Sequence, residues 1–416
     1  MLRTTLFNGS SLRYLSHHTT HSLPTLLAHA GIAPSSNNDG LAPALNLSTT
    51  YERNADNSYN SHVYSRLSNP TRDALEQEIS NFETCYASRP PNLPPSPTSA
   101  FASGMAAVSS VLLARPNTTV LLPDDCYHGV PYQLDAILHR CGVTFELIDM
   151  TDHYLVENKL KTLNENEGAN SSSTLLWLET PSNPLCKITD LSTLTGLAHA
   201  ISPSIAVCVD ATWSPPTLTQ PFSHGADVVL HSATKFMGGH SDVLAGVVTS
   251  NGGTEAGLAM GIAIREYQGA AGGVCSPFDA WLVLRGLRSM DVRVERMCNN
   301  AQTVAEYLTR HPNVEICHYP GLPSHPGHKV AEKQMKRFGS MLSFEVVGGE
   351  PAAVEMAGRL QLIRRATSLG GTETLIEHRA SIEPEARRIS PEGLLRVSVG
   401  LEGVDDIIQD LQQALR

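Results

Sequence analysis

Lys235 closes the run Val228-Val229-Leu230-His231-Ser232-Ala233-Thr234-Lys235, and Phe236-Met237-Gly238-Gly239 follows it. An ammonium is costly to desolvate, so a lysine at the end of an apolar strand calls for a partner or for chemistry. Burial and cationic neighbours lower a lysine pKa, and the free amine then forms Schiff bases. Ser232 and Thr234 offer hydroxyls to a phosphate, while Gly238 and Gly239 let the backbone pass close to a ligand. A lysine without such flanks reads as an exposed loop residue; here the flanks favour a ligand. Asp210 closes a second apolar run, Ile205 to Val209, 25 positions earlier. Such an Asp is either a helix N-cap or the counter-ion of a protonated pyridine nitrogen, the partner that lets a pyridoxal ring act as an electron sink. Its placement before Lys235 selects the second role. Ser103-Gly104-Met105-Ala106-Ala107 reads as a helix start, where unpaired N–H groups and the helix dipole suit a phosphate.

These residues need a scaffold that delivers them to one place. Apolar runs at Thr119 to Leu122, Val143 to Ile148, Thr174 to Leu178, Ile205 to Val209 and Val228 to Leu230 alternate with helical stretches, which implies βαβ units around a parallel sheet. Ligands of such sheets lie outside the carboxyl ends of the strands. Glu179, Asp210 and the cluster His231 to His240 stand at those ends. Beyond Pro277 a long helical pattern, Phe278 to Leu308, leads into strand-like pieces at Val314 to Tyr319 and Met341 to Val347. Helices near Ala352 to Leu360 and Asp405 to Leu415 follow. This predicts a smaller α+β C-terminal domain with its boundary near Arg285 to Met297. Loops are expected over Ser88 to Ser99, which holds five prolines, and over Asn164 to Ser173.

Composition narrows the function. With 416 residues, 41% hydrophobic and 17% charged, the chain has the makings of a large core. Its 41 acidic against 30 basic residues give a net charge of −11, with no basic run to meet a phosphate backbone, so nucleic acid is not the expected partner. No stretch reaches the roughly 18 to 20 apolar residues of a membrane span. The eight cysteines show no CxxC and no repeated spacing, so neither a disulfide framework nor a metal site is expected. Residues 1–38 lack acids, carry Arg3 and Arg13 and are rich in Ser and Thr, the pattern of a transit peptide or of a disordered N-terminus. The expected location is therefore cytoplasmic, or mitochondrial if that segment is a transit peptide.

Further motifs appear in a telling order: Tyr64-Ser65-Arg66 with Asn69-Pro70-Thr71, the Ser103 segment, Asp125-Cys126-Tyr127, and Glu179-Thr180-Pro181-Ser182-Asn183-Pro184. Then come Val209-Asp210-Ala211-Thr212, the Lys235 motif, Ser368-Leu369-Gly370-Gly371 and Leu395-Arg396-Val397-Ser398-Val399-Gly400. From about His29 to the C-terminus the chain resembles the Cys/Met metabolism family of pyridoxal 5'-phosphate enzymes, the trans-sulfuration group that includes cystathionine γ-lyase, γ-synthase and β-lyase and methionine γ-lyase. The resemblance implies the type I, aspartate aminotransferase-like fold of PLP-dependent transferases, α/β in class, with a mainly parallel large domain and a smaller α+β domain. It also implies a homo-oligomer, a dimer of dimers. The domains would be 1–38 as above, an N-terminal arm and intersubunit segment at 39–100 with the Pro-rich insertion 88–99, a large cofactor-binding domain at 101–290 and a small domain at 291–416.

Carried onto this sequence, the resemblance gives Lys235 as the residue that binds the cofactor covalently and Asp210 as the partner of the pyridinium nitrogen. Tyr127 would stack on the ring and act as acid or base. Gly104, Met105, Ser232 and Thr234 would hold the phosphate, and Thr212 would join the cofactor set. Tyr64 and Arg66 would complete the neighbouring subunit's site. Arg396 would grip the substrate α-carboxylate, aided by Asn183 and Ser368. Apart from the motif order, Arg396 would read as a structural salt bridge and Tyr127 as a core aromatic. The expected function is carbon-sulfur lyase on cystathionine or a related amino acid, cystathionine γ-lyase-like. The alternatives are a γ-synthase joining cysteine to an O-acylhomoserine, a transaminase on the same fold, and a non-catalytic cofactor-binding scaffold. Four positions depart from family patterns. Thr367 replaces a common Glu before Ser-Leu-Gly-Gly, and Tyr132 replaces an Arg five residues past Tyr127. Gly129 replaces the cysteine of methionine γ-lyases, and Arg379 the usual proline after His378.

Overall fold

A computed structural model describes residues 21–32, 40–85, 96–115, 117–170, 173–383 and 388–416, with the side chains of 166–170 left aside. Seven strands form the larger sheet: β1 (Thr98–Phe101), β2 (Thr118–Pro123), β3 (Thr144–Ile148), β4 (Ser173–Glu179), β5 (Ala206–Asp210), β6 (Val228–His231) and β7 (Gly246–Ser250). Their order is β1-β7-β6-β5-β4-β2-β3. β3, β2, β4, β5 and β6 run parallel, while β7 is antiparallel to both β6 and β1. Alternate residues of each strand serve opposite faces. Val120, Trp177, Cys208 and Leu230 pack with Val108 and Leu112 of α3 (Gly104–Leu112) and Met260 of α7 (Glu255–Ala271). Leu121, Leu176, Val207 and Val229 pack against Val156 and Leu160 of α5 (His153–Asn170) and Leu194 of α6 (Leu191–Ile201). With both faces covered, the central strands are continuous apolar runs, which is why they are legible in the sequence.

A third cluster joins Leu23 and Leu27 of α1 (Leu23–Ala28), Leu75, Ile79 and Phe82 of α2 (Pro70–Thr84), and Leu284 of α8 (Pro277–Leu287) to Phe236 and Met237 beside the lysine. The second sheet, order β10-β11-β12-β9-β8, contains β8 (Val314–His318), β9 (Met341–Val346), β10 (Arg364–Arg365), β11 (Leu375–His378) and β12 (Leu394–Ser398). It packs with α9 (Met290–Thr309), α11 (Gly349–Arg359) and α12 (Val404–Ala414) around Leu342, Phe344 and Val397.

Several expectations change. The helical pattern from Phe278 to Leu308 is two helices, broken at Arg288-Ser289. Ser289 leaves helical geometry (φ −114°, ψ 3°), and the Gly286 carbonyl accepts from the Arg293 guanidinium at 2.8 Å. Of the segment Asn164 to Ser173, Asn164 to Asn170 continue α5 and Ser173 opens β4, while 171–172 lie outside the described residues; extending an existing helix fixes one residue per added bond. In the segment Ser88 to Ser99, positions 88–95 lie outside the described residues, whereas Thr98 and Ser99 belong to β1. Their polarity is tolerated there because the Thr98 hydroxyl meets that of Thr249 at 3.0 Å. Within 1–38, residues 1–20 and 33–38 lie outside the described residues, while Leu23, Leu26 and Leu27 bury one face of α1 in the core. Among the described residues no helix is long and apolar enough to cross a membrane.

Candidate active site

A cavity of about 640 Å³ opens at the carboxyl ends of β4, β5 and β6, and residues of the second sheet form its opposite wall. Lys235 lies one turn past β6. Its N–H donates to the Ser232 carbonyl at 3.1 Å, and its own carbonyl accepts from Gly239 N–H at 2.7 Å. Gly239 adopts φ 72°, a left-handed conformation that suits glycine and turns the chain away behind the lysine. The Lys235 amine donates to the Ser368 hydroxyl at 2.8 Å. Ser368 holds φ 94°, a strained backbone for a residue with a side chain, and so delivers its hydroxyl across the cavity. Burial, and then the Arg396 charge, pull the amine down to about 8, against a weaker upward pull from Glu377.

Asp210 and Glu179 end neighbouring strands in direct register. The Asp210 carboxylate accepts Thr212 N–H at 3.0 Å, and the Thr212 hydroxyl in turn accepts Ser232 N–H at 2.9 Å, which ties β5 to the lysine loop. Glu179 accepts Tyr127 N–H at 3.0 Å and Asn183 N–H at 3.0 Å, fixing two further residues that line the cavity. Burial raises the pKa of both carboxyls, and Asp210 raises Glu179 further. A cation placed against Asp210 would offset that burial penalty.

At the other end of the cavity Ser103 caps α3 by accepting Ala106 N–H at 3.1 Å, and the first intrahelical bond is Ala107 N–H to the Ser103 carbonyl. The amides of Gly104 and Met105 precede that bond and have no helical acceptor. A Cβ on Gly104 would lie 2.9 Å from Ser232, so glycine is what lets the helix start sit against the lysine loop. Thr234 lines the same region, but its hydroxyl is engaged with Ala245, donating to the carbonyl at 3.1 Å and accepting from N–H at 3.0 Å. Tyr127 lines the cavity with its ring against Gly129, where a Cβ would come within 2.4 Å of the ring. Burial raises the Tyr127 hydroxyl, opposed by Arg379 and Arg396.

Arg396, on β12, is buried. It donates to Asn183 Oδ1 at 3.0 Å and to the Ser368 carbonyl at 3.4 Å, and pairs with Glu377 at 2.7 Å. Burial lowers it to about 10, so it stays cationic at neutral pH. Tyr64 and Arg66 do not line this cavity. Tyr64 is exposed, and Arg66 lies over it with its guanidinium on the Gly269 carbonyl at the end of α7. Sequence reasoning passed over His128, Trp213 and Glu377 as lining residues, gave Arg379 no role, and had Ser103 only as the first residue of the helix start. The cap at Ser103 was readable from its place before a helix. Glu377 faces Arg396 through strand register, which no local pattern encodes.

The family described as Cys/Met metabolism PLP-dependent enzyme matches residues 24–416. The chain belongs to this family. It is 38% identical to a cystathionine gamma-synthase of Mycobacterium leprae over 97% of this chain and 99% of that protein. To an L-methionine gamma-lyase of Fusobacterium nucleatum subsp. polymorphum it is 40% identical over 85% and 86%. The crystal structure of cystathionine gamma synthase from Xanthomonas oryzae pv. oryzae with aminoacrylate and cysteine superposes with a TM-score of 0.84 at 34% identity, covering 95% of this chain and 98% of that one. As a member of the Cys/Met metabolism family the chain is a pyridoxal 5'-phosphate-dependent enzyme of the trans-sulfuration group, with the α/β type I fold expected from its motifs. Its residues fit that cofactor: a buried carboxylate in need of a cation, a helix start with free amides set against a glycine, and a part-buried amine between them.

Proposed function

We propose that this enzyme is a carbon-sulfur lyase of the γ type acting on a small sulfur amino acid. The observation that carries the reading is the meeting, in one cavity, of the Lys235 amine lowered to about 8, the buried Asp210 carboxylate and the buried Arg396 guanidinium. Asp210 would face the ring nitrogen and Tyr127 the ring face, while Ser232 and the amides of Gly104 and Met105 would take the phosphate, with Thr212 holding Ser232 in place and Thr234, its hydroxyl engaged with Ala245, standing beside them. Arg396 and Asn183 would seat the substrate α-carboxylate, with Ser368 beside them. The bound cofactor supplies an electron sink for the pair left at the α-carbon. Lys235, freed when the substrate amine takes its place and uncharged above its lowered pKa, would accept the α-proton and carry protons along the chain for γ-chemistry. Tyr127 keeps its phenolic proton at neutral pH and can give it to the leaving sulfur.

Thr367 lines the cavity without a charge, and Tyr132 on α4 (Gly129–Ala136) is exposed and does not line it. Neither offers a charged partner to the far end of cystathionine, so that molecule is one member of the substrate class and not its definition. Gly129 stands where methionine γ-lyases carry a cysteine, which weighs against methionine as the substrate. A second reading, γ-replacement of an O-acylhomoserine by cysteine, draws support from the likeness to a γ-synthase over nearly the whole chain. Supplying cystathionine, methionine, cysteine, or an O-acylhomoserine plus cysteine separates them. Keto acid and ammonia mark the lyase, and net cystathionine formation marks the synthase.

The protein would act as a homo-oligomer, a dimer of dimers, in which Tyr64 and Arg66 complete the neighbouring site. A large domain at 101–290 and a small one at 291–416 would flank the cavity. It would work in the cytoplasm. A fully active monomer would overturn the shared site.

A further inference from the structure

Arg396 does not stand free for a substrate. One oxygen of Glu377 lies 2.7 Å from the Arg396 guanidinium and 2.9 Å from that of Arg379, so a single carboxylate bridges two buried cations. The other Glu377 oxygen and the Arg379 Nε are both buried without a hydrogen-bond partner. An acceptor and a donor thus go unused on two side chains already in contact, each at the cost of an unmet polar group. Arg379 is held from its far side by Glu383 at 3.5 Å. Glu383 is itself fixed by the Ser390 hydroxyl at 2.5 Å and by Ile389 and Ser390 N–H groups at 3.1 Å.

We propose that Glu377 is a resident carboxylate that occupies the substrate's seat on Arg396, and that Arg379 is the positioning residue that takes Glu377 over when a substrate carboxylate arrives. Turning the Glu377 carboxylate toward Arg379 lets its unused oxygen accept from Nη2 while the other stays on Nη1, as a carboxylate and a guanidinium meet through two parallel bonds. Arg396 then has a free edge for the incoming carboxylate, and the second anion enters without facing an uncompensated one. Arg379 lines the cavity, but its Nη1 is bonded to Glu377 and its Nη2 faces Glu383, so in this proposal it acts through Glu377. This inference rests on the reading of Arg396 as the carboxylate seat.

The test uses holoenzyme and propionate, a carboxylate with no amine, with Kd measured by calorimetry and folding checked by thermal unfolding. Arg379→Met strands Glu377 on Arg396 but leaves both carboxylates partnered, so the protein should fold while its Kd for propionate rises tenfold or more. KM should rise for every amino acid tested, with kcat within about threefold. Arg379→Lys, which keeps the charge but not the fork, should fall between. Adding Glu377→Gln to Arg379→Met removes the competing charge and should bring Kd back to within about threefold of the parent, a rescue that a merely structural role would not give. The handover is overturned if Arg379→Met leaves propionate binding unchanged, or weakens only amino acids with a second carboxylate, or is not rescued by Glu377→Gln. An Arg396→Lys variant separates the two levels. If it leaves propionate binding unchanged, the seat itself is wrong; if it weakens binding while Arg379→Met does not, only the handover is.

Discussion

The two walls of the cavity handle charge differently. On the strand-end wall, Asp210 and Glu179 are bonded to backbone N–H groups whose positions are set by a parallel sheet buried on both faces. On the wall built from β11 and β12, Glu377, Arg379 and Arg396 are bonded mainly to one another through side-chain ends. Charges fixed by backbone are preorganised and cannot relax toward a ligand; charges fixed by each other can exchange partners. The first wall suits a resident cofactor, which must meet the same field in every turnover. The second suits a substrate that comes and goes.

This contrast predicts the largest losses on the strand-end wall. Lys235→Ala should lower kcat at least about a thousandfold, the scale of a lost general base, and abolish the absorbance of the cofactor-lysine linkage. A variant that kept that absorbance would break the assignment outright. Asp210→Asn should cost about a hundredfold in kcat, as for a misplaced electrostatic partner, with KM nearly unchanged. If KM changed and kcat did not, the two walls would not be functionally distinct.

The sequence showed the first wall far better than the second. β2 to β6 are apolar runs closed by Glu179, Asp210 and the lysine segment, so both the strands and the residues at their ends could be read directly. β1 and β7 escaped: Thr98 and Ser99 look like the tail of a proline-rich loop, and only pairing with Thr249 and Val248 makes them a strand. β11 escaped because Glu377 and His378 interrupt its apolar face. Its charges make sense only once β12 lies alongside and sets Glu377 opposite Arg396. Arg396 itself was visible through resemblance alone. Thr234 was read as a phosphate donor, but its hydroxyl meets the Ala245 backbone, a contact made across 11 positions by the fold.

A smaller effect links the walls through the amine. Burial and Arg396 lower Lys235 from its ordinary 10.5 to about 8. The uncharged amine is the form that accepts a proton, so kcat should rise as pH increases through about 8. Replacing Arg396 with Met removes a cation that disfavours the ammonium, so the rising limb should move to higher pH. A limb that stays in place would mean that burial on the strand-end wall sets the amine alone.

The smallest effect is confined to the phosphate end of the first wall. Ser103→Ala removes the oxygen that accepts Ala106 N–H at the start of α3, a loss of about 1 kcal/mol in stability. The amides of Gly104 and Met105 remain, because they belong to the helix and not to its cap. The variant should melt at a slightly lower temperature and release the cofactor more readily on dilution, while its KM for an amino acid stays that of the parent. If KM shifted in step with cofactor retention, the two walls would be coupled through α3, and their separate treatment of charge would not be the property that divides cofactor binding from substrate binding.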